Sequence, residues 1–192
     1  MDPAYFDRLF RREADPWGFE TSAYEAAKYA ATLDALGERY GRAFEVGCAN
    51  GAFTVQLAAR CDALLAADVA EAALDRARQR TRDLPHVEVV RMAAPDEWPE
   101  GAFGLVVVSE VGYYLSRADL GRLVARCADS VAPGGHLVLV HWTGPPDYPL
   151  TADDVHDAFL GSDRWRSVRA ARHKAYRLDV LERTAVPAAP SP

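Results

Sequence analysis

The 192 residues carry 22 Lys and Arg against 28 Asp and Glu, for a formal charge of -6, and 49% of them are hydrophobic. That is enough apolar material for one domain with a sizeable core. The charge is spread without a basic run, and no stretch reaches the ~18 apolar residues of a membrane span. Nucleic-acid and membrane roles are therefore excluded, and small-molecule chemistry is favoured.

The first 39 residues precede any strand pattern. They hold "DPWGFETSAYEAAKY", in which Trp17, Phe19, Tyr24 and Tyr29 stand among charges, and they predict a helical flap ahead of the core. Asp2, Asp7 and Glu13 do not follow the basic-then-apolar order of a secretory signal, so a cytoplasmic protein is expected. Cys48, Cys61 and Cys127 form no CxxC pair. Reduced thiols follow, with no metal and no disulfide-linked partner.

Short β-rich runs then fall at 40–47, 63–69, 86–92, 103–111 and 135–142, and helical periodicity falls at 52–61, 70–84 and 117–132. The alternation predicts an α/β fold, a Rossmann-like, doubly wound parallel sheet covered on both sides. Residues 40–142 form its core. After the Pro-rich loop "GPPDYP", Thr151 reads as an N-cap with Asp153 and Asp154 in the first helical turn. "WRSVRAARH" and "AYRLDVLER" read as two edge strands within a closing unit, 143–184. The proline-rich, uncharged 185–192 reads as a disordered tail, which leaves one domain over 1–184.

Chemistry enters at "FEVGCANGAFT", where small residues at a strand-to-helix turn let backbone N–H groups approach a ligand. A dinucleotide fingerprint needs glycines at 47, 49 and 52, and Ala49 and Ala52 break it. Glu45 would also repel a pyrophosphate, which disfavours an NAD-dependent oxidoreductase. The same acid would welcome an ammonium group. Glu45-x-Gly47-x-Ala49-x-Gly51 resembles the first motif of class I S-adenosylmethionine (SAM)-dependent methyltransferases, with alanine for the middle glycine. Asp68 stands 17 residues after Gly51, where an acid takes ribose hydroxyls in this topology or caps the next helix. Ser109, Glu110 and Tyr113 follow at the carboxyl end of the fourth strand, and Pro133, Gly134 and Gly135 stop the helix before the fifth.

"DPW", "FEVGCANGAFT", "VSEVGYYL" and the segment 131–136 resemble the nodulation protein S family, rhizobial N-methyltransferases acting on the free amine of a de-N-acetylated chitooligosaccharide. The resemblance runs from about Asp15 to Val140. It implies a seven-stranded sheet with the last strand antiparallel, SAM as methyl donor and an amine-bearing acceptor. Gly104 stands where such families have Asp, and Gly112 where they have a bulky aliphatic residue, a change expected to widen the pocket near Tyr113. The donor site is then expected to draw on Trp17, Tyr29, Glu45, Gly47, Cys48, Ala49, Gly51, Phe53, Asp68, Val69, Met92, Ala93 and Glu110, with the flap's aromatic faces shielding the sulfonium.

Methyl transfer to a neutral amine needs alignment more than acid-base help, and one proton must then leave. His141, at the end of the fifth strand, is the candidate base or orienting group, unless it is a core histidine. Glu110 and Tyr113 are the other candidates beside the reaction, with Glu110 also readable as a donor-site or capping group. Tyr114, Trp142, Asp147 and Tyr148 are expected to line the acceptor pocket with Tyr113 and His141, and His156 to fold back over it. His136 lies at the wrong end of its strand. A hydroxyl acceptor on a small natural product and a non-catalytic SAM-binding protein remain as alternatives.

Overall fold

The computed structural model describes residues 3–145 and 147–185. Two helices, α1 (Pro3–Arg12) and α2 (Ala23–Ala35), lead into β1 (Tyr40–Val46), α3 (Ala52–Ala58), β2 (Cys61–Asp68), α4 (Glu71–Thr81), β3 (Val87–Arg91) and β4 (Phe103–Ser109). A 3-10 turn (Gly112–Tyr114) follows, then α5 (Arg117–Ser130), β5 (Val131–Trp142), α6 (Ala152–Leu160), β6 (Trp165–Arg172) and β7 (Tyr176–Arg183). The seven strands form one sheet in the order β3-β2-β1-β4-β5-β7-β6. Only β7 runs against the rest.

Burial on both faces explains why the central strands read as continuous apolar runs. Phe44, Val46, Val106, Val108, Leu137 and Leu139 pack on one face with Leu123 of α5 and Phe159 of α6. Ala43, Leu105, Val107, Val138 and Val140 face the other way, towards Tyr29 of α2 and Leu57 of α3. This period of two assigns each strand residue to a layer.

Two boundaries differ from the sequence reading. First, β7 is an interior strand between β5 and β6, with Leu178, Val180 and Leu181 buried, so only β6 is an edge at that side. Chain order did not reveal this because the last hairpin inserts β7 rather than appending it. Second, α5 stops at Ser130, and Val131 already pairs with Phe103 before the chain loops out and returns at His136 opposite Leu105. Gly134 takes φ +78° inside that loop, the left-handed conformation glycine adopts without penalty. The tail expected to be disordered, 185–192, lies outside the described residues from 186 onward. Among the described residues no helix is long and apolar enough to cross a membrane.

Thr151 caps α6 in a reciprocal capping box with Asp154. The edge strand β6 is exposed over residues 166–170. Its arginines are held by the chain's own acceptors: Arg166 by Glu182 at 2.8 Å, Arg169 by the Asp34 carbonyl at 2.7 Å, and Arg172 by Asp153.

Helix α1 docks on the start of α4. The Asp7 carboxylate accepts the Ala72 N–H at 3.0 Å, and Arg76 donates to the Phe10 carbonyl at 3.0 Å. Phe10 is buried beside Ala70 and Ala73. None of these contacts belongs to the sheet, so α1 should open independently of it. Phe10→Ala is therefore expected to speed proteolytic cleavage ahead of residue 15 several-fold while the melting temperature of the sheet moves by only a few degrees. Limited proteolysis and calorimetry on the same variant check this. A melting point that collapses with Phe10 would make α1 part of the cooperative core.

Candidate active site at the carboxyl ends of the sheet

Strand order reverses between β1 and β4, and in open α/β sheets ligands bind at that switch point outside the carboxyl ends. A cavity of about 560 Å³ opens there, roofed by α1 and α2. Gly47 and Cys48, just past β1, both donate to the Ala67 carbonyl at the end of β2, at 2.8 and 2.9 Å, which bends the loop across β2. Gly47 sits at φ +78°, and a Cβ there would meet Val111 Cγ2 at 2.2 Å, so both conformation and space demand glycine. Gly51 has φ +79° and lies against Ala77 of α4. It shapes the turn without lining the cavity.

Asp68 accepts the N–H of Ala49 at 2.9 Å on one oxygen and that of Ala70 at 2.9 Å on the other. The helix-capping reading and the ligand reading thus meet in one residue: each oxygen keeps a second lone pair, and the side chain lines the cavity. Burial pushes its pKa up, against the pull of these amides. Glu45 is deeper. Only 4% exposed, it has one oxygen, Oε2, with no hydrogen-bond partner among the described residues. Desolvation raises its pKa to about 7 despite the nearby Thr54 hydroxyl.

At the β4 end, Glu110 has φ +56°, a conformation costly for a side chain of its size and held by its partners. Its Oε1 accepts from Lys28 Nζ at 2.7 Å. Oε2 accepts from the Tyr113 hydroxyl at 2.5 Å and the Trp142 N–H at 2.9 Å. Lys28 also lies 3.0 Å from Glu25, and its ammonium sits 5.2 Å over the Tyr24 ring. Tyr113 stacks on Tyr148 at 4.9 Å, with Tyr114 edge-on to both. Phe6 of α1 closes against Tyr114 at 5.0 Å. Burial, with Glu110 close by, raises the Tyr113 pKa far above its ordinary value, so the hydroxyl stays a donor.

Most of the residues expected to hold ligand come together on this wall: Trp17, Tyr29, Glu45, Gly47, Cys48, Ala49, Phe53, Asp68, Val69, Met92, Ala93, Glu110, Tyr113, Tyr114, Trp142 and Tyr148. The histidines do not. His141 is fully buried behind the 3-10 turn, its Nε2 accepting the Gly112 N–H at 3.1 Å and its Nδ1 facing His156 Nε2 at 3.1 Å. His156 is also fully buried, with Nδ1 2.7 Å from Asp179 Oδ2. The Gly112 N–H donor at one end and the Asp179 carboxylate acceptor at the other set the tautomers, so His141 donates to His156 and His156 donates to Asp179. Both ring nitrogens of His141 are spent inside the protein, which removes it as base and as acceptor wall, and His156 does not reach over the pocket. Desolvation holds the His141 pKa well below its ordinary value.

Asp147 is exposed away from the cavity, while Asp153 and Asp154 pair with arginines on α6's outer side. Gly112 does not widen the pocket, because Val155 Cγ1 stands 2.5 Å from where its Cβ would be. Phe6, Phe10, Glu25, Lys28 and Asn50 join the lining without having been singled out as ligands. The one available signal was Glu25 and Lys28, an i, i+3 charge pair inside an alanine-rich helix, which puts both on one face.

The strand order and the loop after β1 define the class I methyltransferase fold. A model of the family "Nodulation protein S (NodS)" matches residues 4–136, and the chain belongs to that family. Nodulation protein S of Rhizobium tropici is 39% identical over 138 residues, 68% of this chain and 58% of that protein. The Bradyrhizobium diazoefficiens protein is 42% identical over 138 residues, 68% and 66% of the two chains. This chain thus spans about three-fifths to two-thirds of the length of these relatives. The crystal structure of N-methyltransferase NodS from Bradyrhizobium japonicum WM9 in complex with S-adenosyl-L-homocysteine superposes with TM-score 0.82 and 25% identity, covering 94% of this chain and 97% of that one. A candidate methyltransferase from Pseudomonas syringae is 39% identical, with TM-score 0.75 over 84% of this chain and all of that one.

The buried histidines generate a stability prediction. A histidine whose folded pKa is depressed takes up its proton in the unfolded chain first, so its contribution is complete above the ordinary value near 6.5 and is lost as pH falls below it. His141→Gln keeps an acceptor for Gly112 but breaks the link to His156. It should lower stability by about 1–3 kcal/mol at pH 8. Urea unfolding should show the gap from the native protein narrowing between pH 7 and pH 5, and a pH-independent gap would mean that His141 is not held neutral.

Proposed function

We propose that this protein is a SAM-dependent methyltransferase that places a methyl group on an amine of a small polar acceptor. The observation that carries this reading is Glu45, a buried carboxylate with an unbonded oxygen in the cavity wall, which calls for a cationic group where a dinucleotide site would have none. Asp68 would hold ribose hydroxyls through its free lone pairs. Val69, Met92 and Ala93 would bracket the adenine, and Trp17, Phe53 and Tyr29 would shield the sulfonium end. When bound, the cofactor supplies an electrophilic methyl group. The chain's own residues position and desolvate the reactants.

The aromatic wall of Tyr113, Tyr114, Tyr148 and Trp142, combined with the Glu110 carboxylate, suits an amine-bearing ring, and family membership supports an amino sugar or a de-N-acetylated oligosaccharide as that acceptor. A hydroxyl acceptor is less well supported, since the histidine expected to act as its base is sealed inside the protein. Three buried free thiols suit a cytoplasmic setting. Isotope-labelled SAM incubated with a panel of amino sugars and simple alcohols, read by mass spectrometry, tests the assignment. Methyl on oxygen only would reverse it.

Cofactor affinity should also depend on pH. Glu45 must be ionised to accept an ammonium group, and its pKa without ligand is about 7, so affinity for S-adenosylhomocysteine should rise as pH goes from 6 to 8. In Glu45→Gln that slope should vanish, with affinity at pH 8 down by about 10-fold or more. Titration calorimetry at three pH values gives both numbers, and a slope that survives the substitution would remove Glu45 from the site.

A further inference from the structure

Behind the cavity runs a buried chain of hydrogen bonds that no step of the transfer uses. Asp179 on β7 accepts from Nδ1 of His156 at 2.7 Å, the two histidines face each other at 3.1 Å, and His141 Nε2 accepts the Gly112 N–H at 3.1 Å. Both histidines are fully buried, and Asp179 is 1% exposed. Arg177 anchors the far end, donating to Asp179 at 2.9 Å and to Asp153 and Asp157 of α6 at 2.8 and 2.9 Å. His141, His156 and Asp179 all lie beyond residue 136, where the match to the family model stops.

The chain admits one order of protons. Reversing it would set an Nε2–H of His141 against the Gly112 N–H, and a bare Nδ1 of His156 against the Asp179 carboxylate. Like groups would then face each other at both ends, and buried polar groups left in that state are strongly unfavourable.

Gly112 opens the 3-10 turn and rests directly on this support. A Cβ there would come within 2.5 Å of Val155 Cγ1 and 3.2 Å of His141 Nε2, so the close approach needs glycine. The next two residues, Tyr113 and Tyr114, line the cavity. Tyr113 meets the His141 ring edge-on at 5.3 Å, while its hydroxyl holds Glu110 and its face stacks on Tyr148. Whatever seats Gly112 therefore seats the wall assigned to the acceptor. The loop after β1, where the cofactor is assigned, is fastened to Ala67 and Asp68 instead.

We propose that His156 is a positioning residue for the acceptor: by accepting from His141 it fixes which nitrogen of His141 meets Gly112, and so seats the turn that carries Tyr113 and Tyr114. This rests on the methyltransferase reading. Because the two supports are separate, losing His156 should disturb the acceptor and spare the cofactor.

Nitrogen-15 spectra of the native protein, which has five histidines, should show His141 and His156 each protonated on Nδ1 and bare on Nε2. A proton on Nε2 of His141 overturns the assignment without recourse to any variant. His156→Leu removes the acceptor for His141, and His156→Gln restores one. S-adenosylhomocysteine affinity should stay within about three-fold in both, which shows that each is folded. In His156→Leu, amide exchange over residues 111–115 should quicken by about 10-fold or more. KM for whichever member of the panel of amino sugars and alcohols the native protein methylates fastest should rise by about 10-fold, with KM for SAM unchanged. His156→Gln should recover most of both. Native exchange and acceptor KM in His156→Leu, or a Gln variant as impaired as the Leu variant, would reduce His156 to packing and overturn the assignment. Should His156→Leu fail to fold, the native spectrum still decides. If the native protein binds no S-adenosylhomocysteine, the methyltransferase reading itself falls and takes this inference with it.

Discussion

The ion pair between Lys28 and Glu110 joins the two parts of this molecule. One partner rides on a helix ahead of the sheet, and the other stands in a left-handed conformation just past β4. Buried ion pairs add little net stability, because desolvating the charges consumes what their attraction returns. What this one supplies is placement. Lys28 keeps Glu25 on its own helix wherever α2 lies, but Glu110 would lose the one cation that the described residues offer it, so the seat of α2 on the sheet is favoured, and the cavity roof follows from it. The strained backbone of Glu110 persists because four groups lean on its side chain and backbone: Lys28, Tyr113, the Trp142 amide, and the Val140 carbonyl that accepts its N–H.

The β1 side of the cavity was readable because its geometry is local. Glu45, Gly47, Ala49 and Gly51 sit within one turn, and Asp68 lies at a distance set by a single β-α-β unit, so strand and helix periodicity suffices to bring them together. The alternation of apolar residues likewise carried the layers of the sheet. The β4 side of the cavity depends on contacts that spacing does not encode. Lys28 meets Glu110 across 82 residues, and His141 meets Asp179 only through His156.

His141 illustrates how a correct position misleads. It does end a central strand at the ligand-binding end of the sheet, where catalytic side chains gather. Alternation along β5, however, turns its side chain to the layer where α6 packs, and Trp142, one residue on, contributes to the cavity instead. The same hairpin that buries the histidine pair also drives β7 between β5 and β6, bringing Asp179 beneath His156. A polar residue without a partner in sequence had its partner supplied by topology.

The arginine-bearing edge strand has a consequence for life in a crowded solution. A bare edge offers unpaired amides and carbonyls to any extended chain that drifts alongside, and a long, flat one invites sheets to join. Here the exposed ladder is studded with guanidinium groups tethered to the chain's own Glu182, Asp153 and Asp34 carbonyl, which keep water and charge where a neighbouring strand would have to lie. The sheet's β6 edge is thereby guarded against pairing with a further strand. Its growth is halted by electrostatics rather than by a covering helix.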